Sequence, residues 1–328
     1  MAEKPLALVT GAAGFIGTHL TRALRQAGFA VRETDFHPDK NASETYRNLN
    51  LLDSVSLEQN ATFFDVDYIF HLAGVTRRSS VEAFREGNVR TTRNLVQVVN
   101  KSAGKLRRFV YVSSQAAAGP AESLSSPVTE EMPPAPVDGY GISKLEAEAY
   151  IRQEARFPYT IIRPASVYGP GEQDFLKIYR AIAHHLNVYA GYRDKFFSYI
   201  YVEDLVNGLL AAAQSGRAAM QTYFLCAPQP LKWVQFHSTV RRILKTWTVT
   251  VNIPEPVLQG LGMLGDFYAK LTHNYPLVNS QKTRLSHPRY WVCSPQAAVR
   301  DFNFKTRYCL EGGLRKTLVG LYPLAKEP

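Results

Sequence analysis

The chain has 328 residues, 45% hydrophobic and 20% charged, with a formal net charge of +10; it can bury a large core in one big or two modest domains. Cys226, Cys293 and Cys309 are far apart and lack CxxC or Cys/His spacing, so neither a disulfide framework nor a metal site is expected. No run reaches the roughly 18 uninterrupted apolar residues of a membrane span. Met1-Ala2-Glu3-Lys4-Pro5 carries no basic leader region and no cleavage site, so a reducing, cytoplasmic setting is the default expectation. Basic clusters such as Arg77-Arg78, Arg107-Arg108 and Arg241-Arg242 with Lys245 come without a nucleic-acid-binding motif, so no nucleic-acid partner is expected. They read first as solvated faces and second as attraction to an anionic substrate or membrane surface.

Leu6 to Thr10 is an apolar run that stops at Gly11-Ala12-Ala13-Gly14-Phe15-Ile16-Gly17, after which Thr18 to Ala27 has helical periodicity closed by Gly28. The order is strand, glycine turn, helix. Such a turn lets the backbone approach a pyrophosphate whose charge is met by N–H groups at the helix start; a packed turn without a ligand is the plain alternative. Phe29 to Phe36 reads as a second strand, and Asp35 near its end lies close to the roughly 20 residues past the last glycine expected of a ribose-binding acid. A carboxylate there accepts hydrogen bonds from the adenosine ribose and repels a 2′-phosphate. NAD is therefore expected in preference to NADP, with Arg32 and Lys40 as nearby cations that weigh the other way. Val66 to Phe70 and Phe109 to Val112 are further buried strands, running into His71-Leu72-Ala73-Gly74 and Ser113-Ser114, with helical periodicity from Val81 to Asn100 between them. Strands alternating with helices predict an α/β, Rossmann-type doubly wound parallel sheet, whose ligands collect beyond the carboxyl ends of the strands. Gly11, Asp35, Ala73 and Ser114 fall there.

After a Pro- and Ser-rich loop, 120–136, the stretch Asp138-Gly139-Tyr140-Gly141-Ile142-Ser143-Lys144 opens a helix that runs to about Ala155. Tyr140 and Lys144 stand one turn apart on one face. A cation so placed lowers a phenol from about 10 toward the working range, and the tyrosine can then give or take a proton at a substrate oxygen. With 18 tyrosines the Tyr-x-x-x-Lys spacing is expected about once by accident. It occurs twice, and the second match, Tyr322 with Lys326, carries Pro323 at a terminus prone to fray; it reads as a decoy. Further on, Val257, Leu261, Leu264, Tyr268 and Leu271 recur at helical spacing, with Leu258, Met263 and Phe267 widening the apolar face. This helix reads as a cover over a core or, alternatively, as an apolar lid with peripheral membrane contact through 254–271, for which Trp247 and Lys270 would suit an interface.

The residues together resemble an extended short-chain dehydrogenase/reductase of the NAD-dependent epimerase/dehydratase superfamily, on its 3β-hydroxysteroid dehydrogenase and dihydroflavonol reductase side. The likeness rests on Thr10 to Gly17, His71 to Gly74, Asn88-Val89 with Asn94-Leu95, Tyr111 to Ser114, Tyr140 to Lys144, Arg163 to Gly171 and Tyr201-Val202-Glu203-Asp204 in that order. It implies that Tyr140 is the catalytic acid/base. It implies further that Lys144 holds the nicotinamide ribose and depresses the tyrosine's pKa, and that Ser114 hydrogen-bonds the reacting oxygen. Gly11, Gly14 and Gly17, with Ala13, Phe15 and Ile16 among them, become the pyrophosphate turn, and Asp35 the ribose acid. Asn50, ahead of Leu51, replaces the usual Asp at the adenine; Leu72, Ala73 and Gly74 form the wall against the cofactor, and Asn88 with Pro164 to Val167 its nicotinamide end. The resemblance also implies a dinucleotide-binding domain of 1–166 plus about 201–228. A smaller, mostly helical substrate lobe of about 167–200 plus 229–328 would complete the chain, and a homodimer is the implied assembly.

Departures from the resembled patterns separate the chemistries. Dehydratases place an Asp-Glu pair just after the catalytic hydroxyl, where Gln115 and Ala116 stand here. Nucleotide-sugar epimerases usually carry Asn at the position of Ser166 and Arg at that of Phe197, and Phe197 cannot hold a diphosphate. Arg193 is near enough in sequence to substitute. The expected function is an NAD(P)-dependent oxidoreductase interconverting a secondary alcohol and a ketone on a fairly apolar small molecule. A nucleotide-sugar epimerase is the alternative, and a regulatory protein without catalysis is disfavoured because Ser114, Tyr140 and Lys144 are all present.

Overall fold

The computed structural model describes residues 4–37, 45–78, 80–102, 104–191, 194–272, 283 and 287–322. Its first half runs β1 (Leu6–Thr10), α1 (Phe15–Gln26), β2 (Ala30–Asp35), β3 (Tyr46–Asn48), α2 (Ser54–Gln59), β4 (Tyr68–His71), α3 (Val81–Phe84), α4 (Thr91–Ser102), β5 (Arg108–Val112), α5 (Gly139–Glu154) and β6 (Tyr159–Pro164). There follow β7 (Ser166–Tyr168), α6 (Gln173–Ala183), β8 (Leu186–Ala190), β9 (Phe196–Phe197), β10 (Tyr199–Tyr201), α7 (Val202–Gln214), β11 (Gln221–Leu225) and β12 (Leu231–Lys232). The chain then forms α8 (Trp233–Leu244), β13 (Val249–Ile253), α9 (Glu255–Thr272), β14 (Tyr290–Trp291), α10 (Gln296–Phe302) and α11 (Leu310–Val319).

Apolar runs without alternation become strands covered on both faces, and every residue of β4, β5 and β6 is buried. They sit inside a seven-stranded parallel sheet ordered β11-β6-β5-β4-β1-β2-β3, the doubly wound Rossmann arrangement. Leu20 and Leu24 of α1 and Leu205 and Leu209 of α7 pack with Val9, Phe70 and Val110 on one face of the sheet. On the other, Leu95 and Val99 of α4 and Ala147 and Ile151 of α5 pack with Leu8, Ile69 and Ile161. Ala298 and Phe304, late in the chain, join the first of these clusters.

Two boundaries differ from expectation for a local reason. Helix α1 starts at Phe15 rather than Thr18, because Gly14 is its N-cap and the glycine turn and first helical turn share residues. The predicted helix from Val81 to Asn100 is interrupted by a π-helical turn, Arg85–Arg90, which carries the buried Asn88.

A third cluster, with Phe175, Tyr179, Phe197, Phe236, Val240 and Leu314, forms the core of the smaller lobe. Besides α6, α8, α9 and α11 this lobe holds short sheets that its expected mostly helical character did not include: β10 with β7, β12-β9-β14, and β13 with β8. Helix α9 covers the predicted segment, yet its apolar face is open: Val257, Leu261, Met263, Leu264, Phe267 and Tyr268 are exposed, whereas Leu258 is buried. Among the described residues no helix is long and apolar enough to cross a membrane.

Candidate active site

The cofactor side is built from backbone that comes unusually close. Gly11 takes a left-handed φ of 71°, and a Cβ there would stand 2.7 Å from the Ala73 nitrogen; a Cβ on Gly17 would overlap the Gly11 carbonyl oxygen. The backbones of β1, α1 and the end of β4 thus approach more closely than any side chain would permit. The first turn of α1 holds no acidic residue, so the positive end of the helix is left for an anion. Asp35, last residue of β2, accepts from the Ala13 N–H (3.1 Å) and the His37 N–H (3.1 Å), which fixes its carboxylate beside the turn. Arg32 points its guanidinium at the carbonyls of Thr62, Phe63 and Asp65, and is committed there; Lys40 lies outside the described residues. Asn50 is exposed and its Oδ1 accepts from the Leu52 N–H at 3.0 Å, while buried Leu51 gives its carbonyl to Asn94 Nδ2. These features fit a dinucleotide.

The wall from Leu72 to Gly74 is braced from behind. Thr10 Oγ1 lies 2.7 Å from His71 Nδ1 and accepts from the Ala73 N–H, and the buried His71 ring, whose pKa burial pushes down to about 3, reaches Thr92 Oγ1 on its other side. Asn88 accepts from the Val75 N–H (2.7 Å) and donates to the Val75 carbonyl and Ser143 Oγ, so its amide is committed within the chain. A Cβ on Gly74 would press on Asn88 Oδ1 and come 3.4 Å from Lys144 Nζ.

Asp138 caps α5 by accepting from the Gly141 N–H at 2.9 Å, and this places Tyr140 and Lys144 on the first two turns. Burial pushes the Tyr140 phenol up to about 12, against a hydrogen bond with Ser114 that pulls it down. The depression by Lys144 expected from the spacing is not what the geometry gives. Lys144 instead donates to the Val112 carbonyl at 3.0 Å and lies 4.9 Å from the Tyr111 ring centre; burial lowers its own pKa to about 8, opposed by Glu148. Below it, Glu148 accepts from Ser113 (2.6 Å), from Arg163 Nε (2.9 Å) and Nη2 (2.7 Å), and from Arg152 (2.9 Å). Tyr322 packs into the core of the smaller lobe, away from this group, and its partner Lys326 lies outside the described residues.

Ser114 and Tyr140 face a cavity of about 980 Å³ shared by the two lobes. Pro164 at the end of β6 and Ser166 at the start of β7 line it, together with Ile178 and Ile182 of α6, Leu186 and Val188 of β8, Phe197, Trp233 and Trp291. Phe197 is buried and stacks on Trp233 with ring centres 4.4 Å apart, which makes this part of the lining aromatic where a phosphate-binding cation had been sought. Arg193, the candidate substitute, lies outside the described residues. At the rim Arg77 donates to Asp174 of α6 at 2.5 Å, tying the loop after β4 to the smaller lobe. Val167 sits in β7, paired with Ile200 of β10, and Phe15 meets the smaller lobe's core from α1.

A model of the NAD-dependent epimerase/dehydratase family matches residues 7–225. The chain belongs to that family. Its relatives include a 3-beta-hydroxysteroid dehydrogenase of Mycolicibacterium neoaurum, 29% identical over 248 residues, 70% of this chain and 67% of that one. A ceramide reductase of Caulobacter vibrioides is 26% identical over 318 residues, 94% of this chain and 92% of that one. The match takes in only 53% of the length of an uncharacterized Sinorhizobium fredii relative that is 30% identical. Among solved structures, UDP-glucose 4-epimerase from Thermotoga maritima with UDP-glucose superposes with a TM-score of 0.78 over 96% of this chain and 97% of that one, at 21% identity, a likeness of fold.

As a member of the epimerase/dehydratase family the chain shows two features that its motifs did not announce. Gln115, where a dehydratase would carry its acid, is among the residues lining the cavity, while its amide nitrogen is buried behind the surface and unpartnered among the described residues. His237, on α8, also lines the cavity. It sits in the spacing Trp233, Phe236, His237, Val240, a helical stripe in which a histidine reads as a core position and not as a polar site.

Proposed function

We propose that the protein is an NAD-dependent oxidoreductase that interconverts a secondary alcohol and a ketone on a largely apolar small molecule. The observation that carries this reading is the lining of the cavity that Ser114 and Tyr140 share, where Phe197, Trp233 and Trp291 offer aromatic surface and Phe197 takes the place of a diphosphate-binding arginine. Two relatives that match over much of this chain are named for apolar substrates, a steroid and a ceramide.

When bound, the nicotinamide supplies the hydride acceptor or donor. Tyr140 takes the hydroxyl proton as the alcohol becomes a ketone and returns it in the reduction. Ser114 holds the reacting oxygen at the phenol, and Lys144, with Gly74 and Asn88 beside it, contributes a cation toward the cofactor side of the site. Asp35 favours NAD by repelling a 2′-phosphate, and Arg32, turned to the carbonyls of residues 62–65, does not offset it.

Mixing the full chain with NADH and a panel of ketones and following nicotinamide absorbance tests the reading. Stoichiometric loss of NADH is expected with apolar ketones, and Tyr140→Phe should reduce it by about 10²- to 10⁴-fold with NADH binding retained. A nucleotide-sugar epimerase would consume no NADH and would instead interconvert two sugar nucleotides.

A further inference from the structure

Apart from Ser114, Tyr140, Asp138 and the charged rim, the polar side chains lining the cavity are Thr76, Ser166, Gln115, Tyr189, Lys195, whose Nζ donates to the Ala190 carbonyl at 2.8 Å, and His237. His237 is 5% exposed, with its ring stacked on Tyr189 at 4.8 Å and edge-on to Trp233 at 5.6 Å. Its Nδ1 meets Asn187 Oδ1 at 2.5 Å, and Asn187 Nδ2 in turn donates to the Tyr189 hydroxyl at 3.2 Å. An amide oxygen can only accept, so the imidazole proton is on Nδ1. Burial lowers the ring's pKa to about 4, which leaves it neutral at physiological pH and puts a lone pair on Nε2. Nε2 has no hydrogen-bond partner among the described residues, yet it is not one of the buried unpartnered atoms, so it reaches the open space of the cavity.

We infer that His237 Nε2 is a specificity element, accepting a hydrogen bond from a hydroxyl or N–H group that the substrate carries on its apolar body, apart from the reacting carbonyl. This rests on the alcohol–ketone reading and narrows it to amphipathic substrates. An all-carbon ligand strips water from Nε2 and returns nothing, whereas a donor in the right place restores the bond. Asn187 acts through the ring, holding the tautomer, and Tyr189 holds Asn187.

The test uses three matched linear ketones with a terminal methyl, hydroxyl or methoxy group, turned over with NADH by the full chain. The hydroxy-ketone should exceed the other two in kcat/KM by roughly 10- to 100-fold, and the methoxy-ketone should gain nothing because Nε2 cannot donate. His237→Phe should level the three. His237→Gln, whose amide both donates and accepts, should raise the methoxy-ketone above the methyl one, a change that loss of structure does not produce. Equal turnover of all three by the wild type, or an unchanged preference in His237→Phe, overturns the assignment. Calorimetric binding of the same ketones to the NADH-loaded protein reads the same ranking without chemistry. If no ketone is reduced but the hydroxy-ketone still binds preferentially, the oxidoreductase reading falls and His237 keeps its role; equal affinities remove the role whatever the turnover.

Discussion

The glycine turn beside the parallel sheet and the cavity bordered by the smaller lobe are built from different materials. Around Gly11, Gly17 and Ala73 the determining contacts are backbone against backbone, and each is set within one strand–turn–helix unit or between neighbouring strands. The cavity's lining is side chain against side chain, assembled from α6, β8, Phe197, Trp233 and Trp291, which lie far apart in the chain. Chemistry that needs the main chain to approach a ligand leaves no freedom in residue type and announces itself as glycine. Shape and polarity written in side chains can be altered position by position, and a different substrate follows without disturbing the cofactor.

Changes in the two regions should therefore fail in different ways. The largest effect belongs to Gly17→Ala: the new methyl overlaps the Gly11 carbonyl oxygen and stands 2.8 Å from Ala12 Cα, backbone that cannot give. NADH affinity measured by fluorescence titration should collapse by about 100-fold, with more than about 4 kcal/mol lost in denaturant unfolding, whatever the ketone. Next is Glu148→Gln, which leaves the buried Arg163 guanidinium without its carboxylate and should cost about 3–5 kcal/mol in the same assay. Lys144 gives a signed pH effect. Its pKa is about 8 folded and 10.5 in the reference state, so between these values the unfolded lysine keeps a proton that the folded one has released, and stability rises with pH. About 2 kcal/mol should be gained between pH 8 and pH 10 in the cofactor-free protein, and Lys144→Met should flatten that slope. In the cavity lining Phe197→Leu should cost only about 1 kcal/mol and change kcat/KM among apolar ketones while NADH affinity stays fixed; a loss of NADH affinity would break the contrast. The smallest effect is Tyr322→Phe, expected within about 0.5 kcal/mol of wild type and with unaltered turnover.

The same contrast explains what could be read before any coordinates. Uninterrupted apolar runs located β1, β4 and β5, and the distance from Gly17 to Asp35 placed the acid at the end of β2, because these features depend on neighbours in sequence. The two-residue strands β9, β12 and β14 are too short for periodicity, and β8 pairs with β13 across some 60 residues of chain, so the small sheets were not legible. The four-residue step from Tyr140 to Lys144 was legible; the destination of the ammonium, at the Val112 carbonyl, was not, since it depends on how α5 packs on β5. His237 was invisible as a polar site because a histidine in a buried helical stripe reads as core, and only Asn187, fifty residues earlier, gives it a tautomer.

Strand β11 completes the parallel sheet at β6 after the chain has left to build much of the smaller lobe, and Phe304 packs into the same cluster later still. During synthesis the ribosome must therefore deliver residue 225 before the edge of β6 is paired, and about 80 residues more before Phe304 arrives. Until residue 225 is delivered the nascent chain shows the buried strand β6 as an unpaired edge, exposed to wrong pairing and to chaperones. Helix α5, with Tyr140 and Lys144, is made early, but the sheet beside it is finished late.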